Sequence, residues 1–215
     1  MSQGKDALIL TQNLVHGLEE HVRSSLENAI FPSVEMKIDW LKQLNISNIF
    51  VSVGSVSFEF EKKVEGLGAK IIEVNDYETG LLGSFSGLVD YVERDMLVMR
   101  ASRLYPRDIM KILASSELNG DILIAVDTDG NELKDSIEVV FSDELVRPSV
   151  KEFDEGIENP DGFEMGIYLS SPISFHEAVV LLNEEKYDIS DLIRRMDSRV
   201  LPFNDVNILE IDSSK

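Results

Sequence analysis

The sequence contains no cysteine. This absence excludes disulfide bonds, thiolate metal sites and a cysteine nucleophile, and it is compatible with a reducing compartment. Basic side chains are scarce too, because 20 lysines and arginines stand against 40 acidic residues, for a formal net charge of −20. Nucleic acids and anionic membranes bind basic surfaces, so neither is an expected partner of so acidic a chain.

Long apolar runs are also missing. No stretch approaches the roughly 20 apolar residues of a membrane-spanning helix. The first ten residues, MSQGKDALIL, lack the basic region and apolar run of a signal peptide. We therefore expect a cytoplasmic protein. The 215 residues, 43% of them apolar, fit one globular domain or two small ones, and the lack of a linker favours a single domain over 1–215.

Short apolar runs in the first two thirds of the chain predict the strands of a sheet. They are mostly unbroken by polar residues, which is typical of strands buried on both faces of a parallel sheet. Amphipathic patterns between them predict helices, one of which follows Pro106. The predicted strands are 7–10, 49–53, 70–74, 96–99 and 122–126, and the predicted helices are 36–44, 58–67, 85–92 and 109–113.

The pattern changes after Asp127. Asp129-Gly130 predicts a hairpin turn, strands are expected over 136–141, 163–169 and part of 200–211, and helices over 175–182 and 189–196. We therefore predict an α/β fold, a three-layer open and mostly parallel sheet with an antiparallel second half. A helix over much of 17–28 is also expected, because apolar residues recur every four positions at Leu14, Leu18, Val22, Leu26 and Ile30.

Common motifs for phosphate binding, hydrolysis and metal binding are not found. The segment TQNLVHG after Leu10 holds neither a dinucleotide-binding nor a P-loop motif, and Ser52 is not framed as a nucleophile elbow. The histidines His16, His21 and His176 lack zinc-ligand spacing. The acidic run within 152–161 lacks EF-hand spacing, so we expect it to be a solvated loop.

Several short segments form an ordered pattern over nearly the whole chain. They are DALIL (6–10), IFP (30–32), WLKQLNI (40–46), NIFVSV (48–53), NDYETG (75–80), GSF (83–85), MLVM (96–99), GIYLSSP (166–172) and NDVN (204–207). Their order resembles the nucleotidyltransferase superfamily that makes nucleotide sugars. NDYETG is similar to the base-and-sugar loop of the branch that activates phosphocholine or inositol phosphate with CTP.

This resemblance implies which residues would contact a ligand. Asn13 lies where the family has its triphosphate loop. Arg23, counted back from Pro32, corresponds to a phosphate-contacting lysine of the family. Ser102, counted from Leu97, corresponds to the first metal-binding aspartate of the family, and Asp205 corresponds to the second. The other candidates for ligand binding that it implies are Tyr77, Glu78, Thr79, Gly80 and Ser84. Arg100 and Arg103 are candidates on a different ground, because they are cations at the end of a predicted strand.

The departures from the family pattern fall on the residues that would do the chemistry. The loop over 11–16 has no glycine, although glycines let backbone amides wrap a phosphate. Gly17 stands in place of the loop arginine and Phe31 in place of the lysine before Pro32. Ser102 offers a neutral hydroxyl where Mg²⁺ needs a carboxylate, so Asp205 alone would have to hold the ion. These departures predict a degenerate active site.

Each candidate also has an ordinary structural explanation. Asp205 could belong to a turn, and Arg23 could be an exposed helix arginine. Ser84 could cap a helix, and 77–79 could simply connect a strand to a helix. Arg100 and Arg103 are two cations at the end of a predicted strand, where they could bind phosphate or form a salt bridge with an acidic residue.

We therefore expect a nucleotidyltransferase-fold protein that binds a nucleotide or a sugar or polyol phosphate as a non-catalytic or regulatory subunit. The alternative is an active nucleotidyltransferase that uses CTP or another NTP, and only this alternative requires Mg²⁺. A glycosyltransferase is disfavoured, because Asp127-Thr128-Asp129 is predicted to form a hairpin turn rather than the end of a strand. Strand edges in the second half favour a homodimer or a complex with an active relative.

Overall fold

The computed structural model describes residues 4–11, 19–46, 48–74, 80–130, 137–144 and 147–211. The strands are β1 Asp6–Leu10, β2 Ile49–Val53, β3 Lys70–Glu73, β4 Met96–Arg100, β5 Arg103–Leu104, β6 Ile122–Asp127, β7 Glu138–Phe141, β8 Val150–Asp154, β9 Gly162–Ser170, β10 Ser198–Phe203 and β11 Leu209–Glu210. The helices are α1 Glu20–Gln43, α2 Phe58–Gly66, α3 Gly80–Ser86, α4 Arg107–Ser115, α5 Pro172–Asn183 and α6 Ile189–Arg195, with a 3-10 turn at Val89–Tyr91.

The main sheet has the strand order β10-β6-β9-β4-β1-β2-β3. β1 is parallel to β2 and β4, β2 is parallel to β3, and β6 is parallel to β10. β9 runs antiparallel between β4 and β6, and β7 pairs with β8 and β9. A short ladder joins β5 to β11. The predicted fold class, a mostly parallel sheet with an antiparallel second half, is confirmed.

Helices cover both faces of this sheet and make three layers. Alternate residues of β1 point to opposite faces: Ala7 and Ile9 pack with α1, α2 and α4, whereas Leu8 and Leu10 pack with α3, α5 and α6. All four side chains are buried, as expected for a strand in the centre of a doubly covered sheet. Among the helices that the structure describes, none combines the length and apolar character needed to cross a membrane.

Helix α1 is continuous where the sequence predicts two separate helices, over 17–28 and 36–44. It spans 24 residues and contains Pro32 in its interior. A proline there removes one helical hydrogen bond and is unfavourable by about 3 kcal/mol. The buried residues Ile30, Val34, Ile38 and Leu41 continue one apolar stripe past it. Packing of this stripe against the core thus holds the helix together through the proline.

One prediction for the second half of the chain is wrong, and another holds only in part. The acidic run over 152–161 begins in strand β8, where Phe153 is buried in the core between exposed acidic neighbours, and continues over 155–161 as the mostly exposed loop that the sequence predicts. Asp129-Gly130 does not join a hairpin, because the described strands on either side of β6 are β9 and β10, while β7 pairs with β8 and β9. Because β9 and β10 occupy both edges of β6, β7 does not pair with β6.

Replacing Pro32 by Ala tests the continuity of α1. Pro32 is exposed, so the change removes no core contact and restores a helical N–H. We expect the free energy of unfolding in urea to rise by about 1–3 kcal/mol. Pro106→Ala is the control, because a proline before a helix is well tolerated and its removal should give no gain. A loss of stability in Pro32→Ala would contradict the continuous helix and favour a proline-dependent turn.

Candidate functional site

A bulge in β9 shapes the carboxyl end of β4. The register between β6 and β9 moves from Ile124–Tyr168 to Val126–Glu164, an advance of two residues on β6 and four on β9. Gly166 lies in this bulge with a φ of 71°, a conformation that favours glycine. The bulge brings Glu164 and Tyr168 to the same side, where the Tyr168 hydroxyl donates to the Glu164 carboxylate at 2.7 Å.

Glu164 is the centre of a buried polar cluster. Its Oε1 accepts hydrogen bonds from Arg100 Nη2 at 2.9 Å and from Arg103 Nη1 at 3.2 Å. Its Oε2 accepts from the Tyr168 hydroxyl and from the backbone amide of Gly166. The Glu164 and Arg103 side chains are fully buried, and that of Arg100 is 13% exposed. The structure thus shows the salt-bridge alternative for both arginines, and Arg100 is the one at the surface of the cluster.

The charges of this cluster are stable near neutral pH. Burial by itself would raise the pKa of Glu164, but Arg100, Arg103 and the two hydrogen bonds to Oε2 lower that pKa below its ordinary value. Burial lowers the pKa of Arg100, but the attraction of Glu164 outweighs it and the net change is upward. Burial and the nearby Glu164 carboxylate raise the pKa of Tyr168 well above its usual range. The cluster therefore keeps an ionised carboxylate and a neutral tyrosine.

Arg100 lies on the wall of a cavity of about 380 Å³. Among the residues that the structure describes, the others that line it are Leu81 of α3 and the segment at the start of α6, Tyr187, Asp188 and Ile189. Asp188 caps α6, because its Oδ1 accepts a hydrogen bond from the Ser190 amide at 2.9 Å. Ligands of open α/β sheets bind at the carboxyl ends of the strands, and a guanidinium there suits a phosphate or carboxylate.

The turn after β4 contains Ser102 and is held by α1. The carbonyl oxygen of Ala101 accepts from Ser33 Oγ at 2.6 Å and from Lys37 Nζ at 3.2 Å. The carbonyl of Ser102 accepts from the Ile211 amide at 2.7 Å. Lys37 is fully buried, and burial lowers its pKa to about 7. A helix residue with a shifted pKa therefore touches the backbone directly before Ser102.

Asp205 lies in the turn that follows β10. Its φ is 55°, and its amide donates to the carboxylate of Asp129. Asp127 is the last residue of β6 and is buried, and its Oδ1 accepts from the Asp129 amide at 2.9 Å. The Asp127-Thr128-Asp129 triplet therefore stands at the end of a strand, contrary to the prediction. Its aspartates are engaged with backbone amides of the two turns.

These residues do not fit a magnesium site of the kind that the resemblance implies. Such a site needs carboxylate oxygens on the same ion, and Ser102 supplies a neutral hydroxyl. Among the side chains that the structure describes, no three carboxylate or imidazole groups come together as metal ligands. We therefore derive no chemistry through a metal at Ser102 and Asp205.

Arg23 lies in a different cavity from Arg100. α1 has 24 residues and is about 36 Å long, roughly twice the length of the five-residue β1, so it extends beyond the sheet. Near its start, Arg23 lines a cleft of about 300 Å³ between α1 and α2. In this cleft the Glu27 carboxylate accepts from the amide and the hydroxyl of Ser57, the N-cap of α2. The cleft therefore already holds a carboxylate at the α2 terminus.

The remaining candidates are only partly described. Ser84 is buried inside α3 and accepts from Ser52 Oγ at 3.2 Å, so it is not the helix cap that the sequence suggested. Gly80 is the first residue of α3. The ligand candidates outside the described residues are Asn13, Tyr77, Glu78 and Thr79.

Sequence reasoning missed Glu164, Gly166 and Tyr168 as parts of a site. One signal was present, since Glu164 is the only charged residue in the otherwise apolar strand segment FEMGIYL. A lone acid in a buried strand needs a cationic partner, and Arg100 and Arg103 were cations at the end of another strand. Joining these two observations would have predicted the ion pairs.

Replacing Gly166 by Ala should disrupt the cluster. A Cβ there would lie 2.8 Å from Arg103 Nη1 and 2.9 Å from Arg100 Cδ, at a φ that alanine disfavours. We expect the free energy of unfolding to fall by about 2–4 kcal/mol. Gly156→Ala is the matched control, because Gly156 has a φ of 77° and nothing within 4 Å of an added Cβ. Equal losses in the two variants would show that the arginines do not press on Gly166.

Lys37 predicts a pH dependence of stability. Its pKa is about 7 in the folded protein against 10.5 for the ordinary side chain, so between these values the unfolded chain binds more protons. Stability should therefore rise with pH across this window, and the cost of the buried charge is complete below pH 7. In Lys37→Met this contribution is lost. The free energy of unfolding of the wild type, relative to that of Lys37→Met, should therefore rise by about 3 kcal/mol from pH 6.5 to 9.5. Urea unfolding of both proteins at each pH measures this difference. The same pH dependence of stability in both proteins would contradict the prediction.

Solved structures of similar fold identify the architecture. The inositol-1-phosphate CTP transferase from T. maritima is 17% identical, with a TM-score of 0.76, over 98% of this chain and 90% of that chain. A putative glucose-1-phosphate thymidylyltransferase from Bacillus anthracis is 15% identical, with a TM-score of 0.64, over 96% and 89%. HddC from Yersinia pseudotuberculosis is 13% identical, with a TM-score of 0.64, over 96% and 93%.

Comparisons of sequence add nothing to these structures. No family model matches the chain, and no curated relative matches it significantly. The similarity therefore rests on architecture that extends over nearly the whole chain. It agrees with the order of motifs from DALIL to NDVN. The chain has the nucleotidyltransferase fold.

Proposed function

We propose that this protein binds a nucleotide or a sugar or polyol phosphate at the carboxyl end of β4 and does not transfer a nucleotidyl group. The observation that carries the proposal is the pair of Arg100 and Ser102, two residues apart. Arg100 places a guanidinium on a cavity wall, which suits phosphate. Ser102 removes the carboxylate that a metal-dependent transfer would use. The site thus retains a group for binding and lacks a group for catalysis.

The similar folds support the class of ligand. One of them is named as a CTP transferase for inositol-1-phosphate, and the HddC protein was also solved in a complex with GMP-PN. Nucleotides and phosphorylated polyols share one feature, a phosphate that an arginine can bind through parallel N–H donors. Arg100 is the described residue that offers such donors to the β4 cavity.

The charge of the protein also bears on catalysis. A nucleoside triphosphate carries several negative charges, and attack on its α-phosphate adds more, which enzymes offset with Mg²⁺ and cations. This chain has a net charge of −20, and a single carboxylate, Asp205, remains of the expected metal pair. We therefore favour a binding or regulatory role over an active nucleotidyltransferase with remodelled contacts. Association as a homodimer or with an active relative stays a prediction, which light scattering and native co-purification can test.

Ligand affinity should not depend on magnesium. Calorimetry with CTP and with inositol 1-phosphate should give dissociation constants that agree within about twofold with and without Mg²⁺, because Ser102 adds no charged ligand. Ser102→Asp should introduce a dependence on Mg²⁺ for CTP, and Asp205→Ala in that background should remove it. Ser25→Asp is the control, since it adds the same charge on the exposed face of α1.

The same samples separate the proposal from the enzyme alternative. Wild-type protein with CTP, Mg²⁺ and a panel of sugar and polyol phosphates should release no pyrophosphate. Pyrophosphate release, or strong Mg²⁺-dependent binding by the wild type, would contradict the proposal and support an active transferase.

A further inference from the structure

We propose that Glu164 is a positioning residue that fixes Arg100 for the phosphate of a small polyhydroxy compound, a sugar or polyol phosphate monoester. This inference rests on the proposed function and narrows its ligand. Glu164 is not among the ligand candidates that the resemblance implies, and its partners Arg100 and Arg103 identify it.

Glu164 is itself held rigidly. Its Oε2 is fixed by the Tyr168 hydroxyl at 2.7 Å and by the amide of Gly166 within the same bulge. Its Oε1 accepts from Arg103, whose Nη1 also donates to the Glu164 carbonyl oxygen at 3.3 Å. The side chains of Glu164 and Arg103 have no exposed surface. The carboxylate is therefore a fixed point in the core and not a mobile counterion.

This fixed point orients Arg100. A long arginine side chain loses conformational freedom when it binds a ligand, and this loss weakens affinity unless the side chain is ordered beforehand. Arg100 Nη2 donates to Glu164 at 2.9 Å, and its Cδ and Nε lie beside Gly166, where any side chain would collide with them. A guanidinium has five N–H donors, so Arg100 can keep its bond to Glu164 and its other contacts within the protein and still present a donor to a phosphate. Glu164 thus orders Arg100 before the ligand arrives.

The other walls of the cavity favour a monoester with hydroxyl groups. The exposed carboxylate of Asp188 can accept hydrogen bonds from hydroxyls, but it repels additional phosphates. Tyr187 can donate or accept, and Leu81 and Ile189 supply apolar surface. The cavity is shallow and open to solvent, so the charges on its walls, and not its volume, select the ligand. One phosphate near Arg100 and hydroxyls near Asp188 match this arrangement better than a triphosphate does.

Neutralising Glu164 separates positioning from simple charge. If the carboxylate acted only as a nearby negative charge, Glu164→Gln would strengthen the binding of an anion. If it orders Arg100, the same change weakens binding, because the arginine loses its ion pair with Glu164. The two roles thus predict changes of opposite sign. Tyr168→Phe is a second variant, since it removes a bond that holds Glu164 and leaves every charge in place.

The test is calorimetric titration of inositol 1-phosphate and CTP into the whole protein and its variants, with thermal unfolding to confirm folding. Arg100→Met should weaken inositol 1-phosphate binding at least about 20-fold, Glu164→Gln about 10-fold and Tyr168→Phe about 3-fold. The double variant Arg100→Met/Glu164→Gln should bind as weakly as Arg100→Met within about twofold. If Glu164→Gln weakened binding only by disturbing the structure, it would also weaken binding in the Arg100→Met background. The losses of affinity in the two single variants would then add in the double variant.

The outcomes distinguish this inference from the proposed function. Three results would overturn the inference and leave the proposed function standing. They are equal or tighter binding of inositol 1-phosphate by Glu164→Gln, penalties that add in the double variant, and a preference for CTP over inositol 1-phosphate that Arg100→Met does not change. If Glu164→Gln does not fold, undiminished binding by Tyr168→Phe would overturn it. No binding of either probe to the wild type would overturn the proposed function and the inference together.

Discussion

The carboxylate of Glu164 and its two arginines form the interaction on which the site depends. A buried carboxylate is very unfavourable without cationic partners and hydrogen bonds. β9 supplies the acid, and the partners come from β4 and β5, 61 to 64 residues earlier in the chain. This interaction lies where the parallel half of the sheet meets the antiparallel half, because β9 pairs with β4 on one side and β6 on the other. The cluster therefore ties the two halves at the carboxyl end of β4.

The same constraint gives the site its chemical character. Most of the surface of a protein with a net charge of −20 repels phosphorylated ligands. Despite burial, Glu164 raises the pKa of Arg100, which keeps it cationic, and Arg100 carries that charge to the cavity. Position 102, two residues away, holds serine and not a metal-binding carboxylate. Our proposal of a binding role without nucleotidyl transfer rests on these two neighbouring positions.

Much of the fold could be predicted from the sequence, but the site could not. β2 was predicted at its observed bounds, because an unbroken apolar run in a doubly covered sheet has few other solutions. β8 was missed because Phe153 is its one fully buried side chain among acids, and the continuity of α1 was missed because Pro32 is a local signal that tertiary packing overrides. The Glu164 cluster depends on a bulge at Gly166 and on distant partners, which no local pattern encodes. Arg100 was a candidate because it is a cation at the end of a predicted strand, and Ser102 because of the resemblance, but neither was connected to Glu164.

The central claim is that Arg100, fixed by Glu164, binds a phosphate without a metal ion. A crystal structure of the protein grown with inositol 1-phosphate and Mg²⁺ tests it most directly. We expect the phosphate within about 3 Å of the Arg100 guanidinium, the Arg100 to Glu164 ion pair intact, and no ion between Ser102 and Asp205. A phosphate bound elsewhere, or one bridged to Asp205 by Mg²⁺, would contradict the account.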